Sequence, residues 1–399
     1  MKKILVSSLL CITILLTSAA GAFGEVNILE ANDLKIVIDG QLAEFHDIPI
    51  YVGQNTLLPL RELLVKLGVP NDDEHIVWNG TEKSVTVYKD DIKIYLKVNS
   101  KTAYINDVPH ELPIAPVGYA KNQRNYIPAR FVCEALGKKV VWDSYSNNIY
   151  IKDVAKYAEI ENILTKTDLA MKGLKKYKQS LNMDISADQN GLSVKFGFSM
   201  VGEIDKEHQR MHTNMNMDMF FMAIKSDSYY ADNVVYTYEP YSGEWNKKTY
   251  SATEYGHLFT KESDMGLSGI DEVLFAQLEL KENDKPDEIL LVGNTDYEKL
   301  FDEIMESNES SSEIIGNNEN SEYAMENYLM EIRLDSQTYL FKSLTMSANA
   351  IDTENQSKMD ISVKIEYSDY DGSFEITIPD EVKNTAIESS ESNSSGGVW

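Results

Sequence analysis

Asn55-Thr-Leu-Leu-Pro59-Leu-Arg61-Glu-Leu-Leu-Val-Lys-Leu-Gly68 returns later in the chain as Asn125-Tyr-Ile-Pro128-Ala-Arg130-Phe-Val-Cys-Glu-Ala-Leu-Gly137. Pro59 and Pro128, Arg61 and Arg130, and Gly68 and Gly137 are each 69 residues apart. Each block leads to a Val-Trp step, Val77-Trp78-Asn79 and Val141-Trp142-Asp143, and then to a short alternating run, Val85-Thr-Val87 and Ile149-Tyr-Ile151. Repetition at a fixed period is the first thing to read in a chain, because it fixes the architecture before propensities are weighed. Within each copy an extended stretch reaches the proline. Apolar residues then recur at near-helical spacing: Leu60, Leu63, Leu64 and Leu67 in one copy, Phe131, Val132, Ala135 and Leu136 in the other. The glycine stands where a left-handed helix stop favours it.

The flanking segments alternate with period two, as hairpin arms do. Leu34 to Gly40, Ile92 to Val98 and Ala103 to Val108 are such runs. Together the pieces predict an α+β module with an antiparallel sheet packed on short helices.

The residues Asp39-Gly40-Gln41, Asp47-Ile-Pro49, Leu58-Pro-Leu-Arg61, Ile127-Pro-Ala-Arg130 and the two Val-Trp steps give the chain a family likeness. Over about residues 34–152 it resembles the copper amine oxidase-like N-terminal domain, or stalk domain, of secreted bacterial proteins. Copy one departs by five extra residues after its glycine. The resemblance implies a twisted antiparallel sheet on a helix, and it does not imply oxidase activity. An oxidase needs a quinone-forming tyrosine in Asn-Tyr-Asp or Asn-Tyr-Glu, plus a His-x-His ligand pair. Asn125-Tyr126 and Asn327-Tyr328 run on into Ile127 and Leu329, and none of the histidines at 46, 75, 110, 208, 212 and 257 forms that pair.

Met1-Lys2-Lys3, the apolar run Ile4 to Leu16 and the small residues to Ala20-Gly21-Ala22 read as a signal peptide spanning 1–22. The run is shorter than the roughly 20 apolar residues of a membrane span. A secreted, cell-envelope protein without a covalent anchor or a transmembrane segment is therefore expected. Loss of Cys11 with the signal leaves Cys133 as the single thiol. In the apolar run Phe131 to Leu136 it reads as a small buried hydrophobe rather than a nucleophile.

Charge divides the chain. Residues 25–153 hold 14 Lys/Arg and 18 Asp/Glu, whereas residues 154–399 hold 21 and 46. A total of −27 disfavours nucleic acid and anionic membrane surfaces as partners, and no nucleic acid is expected, since both require positive surface. The expected domains are 25–153 for the repeated module, 154–385 for an acidic strand-rich domain and 386–399 for a disordered tail.

The acidic part opens with a helix, Lys156 to Ser180, showing Ile160, Ile163, Leu164, Met171 and Leu174 along one face. Period two follows at Leu181 to Ala187, Leu192 to Met200, Met211 to Met222, Ser228 to Tyr238 and Glu244 to Tyr250. Ala252 to Phe301 reads as a stretch of mixed helical character, with helix candidates at 269–278 and 297–305, and Ser307 to Ser321 as a polar loop. Strands resume from Tyr328, ending in a hairpin at Asp371-Gly372 that leads to Phe374 to Pro379. The closing Ile-Thr-Ile-Pro379-Asp-Glu-Val and Gly-Glu-Trp245-Asn-Lys carry a further likeness. This part resembles the half-barrel of bacterial lipoprotein carriers and secreted domains of unknown function with that architecture. Those carriers imply a curved sheet around an apolar cavity that holds an acyl chain.

Candidate ligand-binding residues are Met211, Met215, Met217 and Met219, which share one strand face, and the aromatics Tyr236, Tyr238 and Trp245. A thioether series can bind Cu(I). His212 falls on the opposite face, however, so core or cavity lining is the reading, with no metal and no cofactor expected. His208 and His212, about 13 Å apart along a strand, are too distant for one ion. In the repeats, Pro59, Arg61, Gly68, Trp78, Pro128, Arg130, Gly137 and Trp142 are read as structural. The arginines would lock the strand-to-helix corners, and the indoles would be core wedges before sugar platforms. No Ser/His/Asp, Cys/His or phosphate-loop motif is present. The expectation is a non-catalytic binding or structural module at the envelope, meeting a wall polymer or surface protein. The alternative is a carrier whose C-terminal cavity, lined by the methionines with Ile160, Leu164 and Leu174, takes a lipid or other amphiphile.

Overall fold

A computed structural model describes residues 27–189, 192–219, 222–262, 271–283, 285–294, 323–352 and 358–389. The expected signal peptide, the polar loop at 307–321 and the helix expected at 297–305 lie outside them. In chain order the elements begin with β1 (Ile28–Glu30), β2 (Lys35–Ile38), β3 (Gln41–Leu42), β4 (Ile50–Val52), β5 (Asn55–Pro59) and α1 (Leu60–Lys66). Next come β6 (Ile76–Asn79), β7 (Ser84–Lys89), β8 (Ile92–Lys97), β9 (Thr102–Ile105), β10 (Val108–Glu111), β11 (Val117–Tyr119), β12 (Arg124–Pro128) and α2 (Ala129–Ala135). β13 (Lys138–Asp143), β14 (Asn148–Asp153), α3 (Val154–Gly173), β15 (Lys176–Gln189), β16 (Leu192–Asp205), β17 (Arg210–Met219) and β18 (Met222–Ala231) follow. They give way to β19 (Val234–Glu239), β20 (Glu244–Thr249), α4 (Ala252–Glu262), α5 (Glu272–Gln277), β21 (Glu279–Lys281) and β22 (Glu288–Gly293). The chain ends with β23 (Tyr323–Asp335), β24 (Phe341–Asp352), β25 (Lys358–Ser368), α6 (Asp380–Thr385) and β26 (Ile387–Glu388). Strand dominates, with few helices.

Contacts divide the chain into two units, one of residues 1–34 and 44–138, the other of 35–43 and 139–399. Unit one holds two five-stranded sheets, ordered β1-β4-β5-β12-β11 and β10-β9-β8-β7-β6. The stretches that lead into Pro59 and Pro128 pair with each other, antiparallel, with Ile127 opposite Leu58. At the end of α1, Gly68 takes φ +81°, its N–H donates to the Val65 carbonyl, and the Val69 N–H donates to the Leu64 carbonyl. That is the two-bond C-terminal stop that glycine makes without steric cost. Gly137 repeats the inner bond, to the Glu134 carbonyl, at φ +74°. Leu60, Leu63 and Leu64 of α1 and Ala129, Val132 and Cys133 of α2 are the buried faces.

In unit two, β13-β14-β2-β3 form a four-stranded sheet whose central pair, β14 and β2, is parallel. Asp39 and Gly40, both at positive φ, make the two-residue turn joining β2 to β3. A Cβ on Gly40 would also lie 3.0 Å from the Glu279 Cγ, so the expected Asp-Gly-Gln signature has a packing reason as well. Val37, Val141, Tyr150, Tyr157 and Ala276 pack into one cluster here.

The remaining sheet is a twelve-stranded half-barrel, ordered β21-β22-β23-β24-β25-β15-β16-β17-β18-β19-β20-β26. α3 buries Ile160, Ile163, Leu164 and Met171 against its apolar side. The helix starts at the Asp153 cap, whose carboxylate accepts from the Ala155 and Lys156 N–H groups. It ends at Gly173, seven residues before the expected Ser180. Lys175 and Lys176 donate their backbone N–H groups to the Asp371 carboxylate, and β15 begins there. The hairpin expected at 371–372 is not present: β25 ends at Ser368, Asp371 is engaged with the start of β15, and residues 374–379 lie outside any ladder. The span of mixed helical character from Ala252 contains α4, α5 within the candidate at 269–278, and also the strands β21 and β22. Ile387 and Glu388, expected as disordered tail, pair in parallel with Asn246 and Lys247.

Candidate ligand-binding surfaces

The register of β16 to β20 decides where the candidate residues point. Met211 stands opposite Ile204 and Tyr230, and Met217 opposite Phe198 and Ile224. Met211 is buried, and Met215 and Met217 pack half-buried against the core together with Phe196, Met200, Met359 and Ile361. Met219 is also half-buried. The methionines therefore line the apolar side of the half-barrel. Ile160, Leu164 and Leu174, expected to line an open cavity with them, are instead buried members of the packed core.

Tyr236, Tyr238 and Trp245 lie on the other face. His212 pairs with Tyr229, Tyr229 with Tyr236, and Tyr238 with Trp245, all with the parity opposite to Met211. The seven candidate residues thus form two surfaces, because adjacent residues in a strand point to opposite sides. On the outer one, His212 stacks on Tyr229 at 4.3 Å, and Trp245 lies 5.9 Å from Tyr229 and 5.5 Å from Tyr238.

His212 also stands between two carboxylates, Asp227 at 2.8 Å from Nε2 and Glu203 at 3.5 Å from Nδ1, with Lys178 on Glu203 at 2.8 Å. The hydrogen bond to Asp227, with smaller help from Glu203, raises the imidazole pKa above its ordinary 6.5. A raised histidine pKa stabilises the fold fully below the unfolded value and loses that contribution as pH climbs through the folded one. Urea unfolding of His212→Gln should show a larger deficit against wild type at pH 6 than at pH 9. Sequence reasoning missed this network because its three partners come from three strands. His208, expected on the same strand face, sits in the turn before β17 with Nδ1 2.9 Å from Asp205. Among the described residues no group of three or more His, Cys, Asp or Glu is placed to hold a metal ion.

In unit one, Pro59 and Pro128 are buried at the strand-to-helix corners. Arg61 reaches the loop after its helix rather than its own strand-to-helix corner. Arg61 donates to the Asn71 Oδ1 at 3.0 Å and reaches Asp73 only at 3.8 Å, and Arg130 meets Glu134 at 3.8 Å. Such exposed pairs are worth about 0–1 kcal/mol. The indoles are not core wedges either: Trp78 is 42% exposed and Trp142 38%. Trp78 sits on β6, the edge of its sheet, where Ile76 alone is buried. Trp142 lies between the buried Val141 and Asp143, and Val140, on its own face of the strand, is buried as well, so the exposure belongs to the indole and not to the whole face. Cys133 is fully buried, and burial pushes its thiol up to about 12, which leaves no thiolate at neutral pH.

The chain thus joins a copper amine oxidase N-terminal domain, matched over residues 37–151, to a helix-covered half-barrel. That domain is not the catalytic part of such oxidases. The protein belongs to a family of unknown function (DUF6612), whose model matches residues 159–387, more than half of its length. Among solved structures the C-terminal part resembles lipoprotein-carrier folds. Mycobacterium tuberculosis lipoprotein LppX aligns at 8% identity over 55% of this chain and 99% of its own, with a TM-score of 0.29. A Vibrio parahaemolyticus domain described as outer-membrane lipoprotein-sorting aligns at 9% over 55% and 95%, with a TM-score of 0.19. An uncharacterized conserved protein from Thermus thermophilus aligns at 9% over 58% and 99%, with a TM-score of 0.23. A search of curated proteins finds no match. No helix among the described residues is long and apolar enough to cross a membrane.

Proposed function

We propose that this is an exported, non-catalytic binding protein of the bacterial cell envelope, made of a duplicated stalk module and a half-barrel domain that takes an amphiphile on its methionine-lined face. The observation that carries the reading is the half-buried apolar surface of Phe196, Met200, Met215, Met217, Met219, Met359 and Ile361, continuous with a packed core. Thioether side chains are flexible and polarizable, and they suit an adaptable apolar wall. The duplication is supported by the matching corners at Pro59 and Pro128 and the matching glycine stops. Export is supported by the charged, apolar and small-residue order of residues 1–22.

Native mass spectrometry of protein purified from its own host is expected to show a bound lipid, and N-terminal sequencing is expected to start after Ala22. A dansylated undecanoic acid should bind saturably to the delipidated protein. Met215→Asp combined with Met217→Asp should weaken that binding at least tenfold, since a carboxylate in the apolar wall must be desolvated. Absence of both a co-purifying lipid and saturable probe binding would overturn the amphiphile reading and leave a purely structural module.

A further inference from the structure

Unit one carries a cleft of about 470 Å³, lined mostly by its first copy and closed on one side by residues 123–125 at the start of the second, within the range of about 300–1,000 Å³ typical of small-ligand sites. Its floor is apolar, from Leu60, Val65, Ile76 and Val85, and its rim bears Trp78, Arg61, Arg124 and Lys66. Asn71, Gln123 and Asn125 add amides that can both donate and accept.

The polar groups are already held in place. Glu62 accepts from the backbone N–H groups of His46 at 2.7 Å and Asp47 at 3.1 Å, which fixes that loop across the cleft. Asp47 in turn accepts from the Asn122 amide at 3.1 Å and holds the Arg124 Nε at 3.2 Å. Both carboxylates lining the cleft are therefore committed to internal partners. Arg61 is oriented by a neutral amide, Asn71, and its contact to the fully exposed Asp73 is long, at 3.8 Å. Among the lining residues three cations, Arg61, Lys66 and Arg124, face two carboxylates, Asp47 and Glu62, an excess of one positive charge, with Asp73 outside the lining 3.8 Å from Arg61. This occurs on a chain of net charge −27.

We propose that this cleft binds a short saccharide bearing one carboxylate per recognised unit. An exposed indole offers a flat apolar face to the C–H side of a sugar ring. The amides match ring hydroxyls, and the Arg61 guanidinium takes a carboxylate through two parallel N–H bonds. One excess charge suits a monoanion, and the negative field of the rest of the chain opposes long polyanions or phosphate-rich ligands. The carboxylate can belong to a lactyl ether, as in muramic acid, or to the ring itself, as in a uronic acid. The proposal concerns unit one and is independent of the amphiphile reading, which concerns unit two.

Isothermal titration of the full-length mature chain with N-acetylglucosaminyl-N-acetylmuramic acid, digalacturonic acid and neutral chitobiose tests it. At least one acidic disaccharide should bind saturably, with chitobiose at least tenfold weaker, and the tighter of the two identifies the carboxylate's source. Trp78→Ala and Arg61→Gln should each weaken binding at least tenfold, a loss of about 1.4 kcal/mol. Arg61→Lys should recover only part of it. Trp142→Ala, which removes the exposed indole of the other copy and lines no part of this cleft, should bind as wild type does. Both substituted cleft side chains are exposed, and unchanged far-ultraviolet circular dichroism will confirm folding. The assignment is overturned if neither acid binds at millimolar concentration, if chitobiose binds equally well, or if Trp142→Ala matches Trp78→Ala.

Discussion

Glu279→Ala is expected to remove about 3–5 kcal/mol of stability at pH 7, the usual result of stripping a buried charge of its partner. Lys152 is 1% exposed, and its ammonium donates to the Glu279 carboxylate at 2.6 Å, to the Leu278 carbonyl and to the Ala276 carbonyl at 3.4 Å. Burial holds the Lys152 pKa below its ordinary 10.5 even with the carboxylate present. Without Glu279 it falls further, and the cheaper route for the fold is to release the proton. Each unit of depression costs about 1.4 kcal/mol, so the loss at pH 7 is limited by full deprotonation. The sign follows from linkage. A lysine whose folded pKa is depressed binds more protons when unfolded, so stability rises with pH until the unfolded value near 10.5 is passed. The deficit of Glu279→Ala should therefore be largest near pH 7 and shrink at pH 10, as read by urea unfolding. A deficit that stays the same across that range would mean lost packing rather than a stranded charge. Replacing both partners, Lys152→Met with Glu279→Gln, should cost much less than the single change, because no charge is then left buried.

This pair also shows where reading the sequence stops. Ile149 and Ile151 alternate with Tyr150 and Lys152, which marks a strand, but β14 is buried on both faces. Alternation alone then assigns the lysine to solvent. Its partner is 127 residues away, and no local pattern announces it. By contrast, the Pro-to-helix corners, the glycine stops and the apolar stripe of α3 are set by neighbours in the chain, so short-range rules reach them. The end of α3 fell between the two cases. Leu174 and Tyr177 continue a spacing of three, which a helix accepts, while Tyr177, Gln179 and Leu181 are buried at a spacing of two. Asp371, distant in sequence, tips the balance toward strand at Lys175. The candidate ligand residues divided for a related reason. Parity within β17 is readable, but which face of β19 and β20 joins it depends on register across three hairpins.

Leu164→Ala is the second change with a large expected effect, a loss of about 2–5 kcal/mol. Leu164 is fully buried midway along α3, the one long helix among the described residues, and it belongs to a core cluster to which both halves of the half-barrel contribute. Removing its branched end takes away transfer energy and leaves a void that a sheet on one side and a helix on the other cannot close. The cost should approach the upper part of the range if the helix stays seated, and the lower part if it shifts inward. Urea or thermal unfolding followed by circular dichroism measures it. The same variant separates stability from binding. Leu164 belongs to the filled part of the core, whereas Met215 and Met217 belong to the half-buried apolar surface toward the β17–β18 turn. Leu164→Ala should therefore lower the unfolding midpoint strongly while leaving the affinity for dansylated undecanoic acid within about twofold. Met215→Asp with Met217→Asp should do the reverse, because half-buried positions lose less on folding than they do on covering an acyl chain. If Leu164→Ala abolished probe binding at temperatures where the variant is fully folded, the acyl chain would have to lie against α3, and the cavity first expected behind Leu164 would be real.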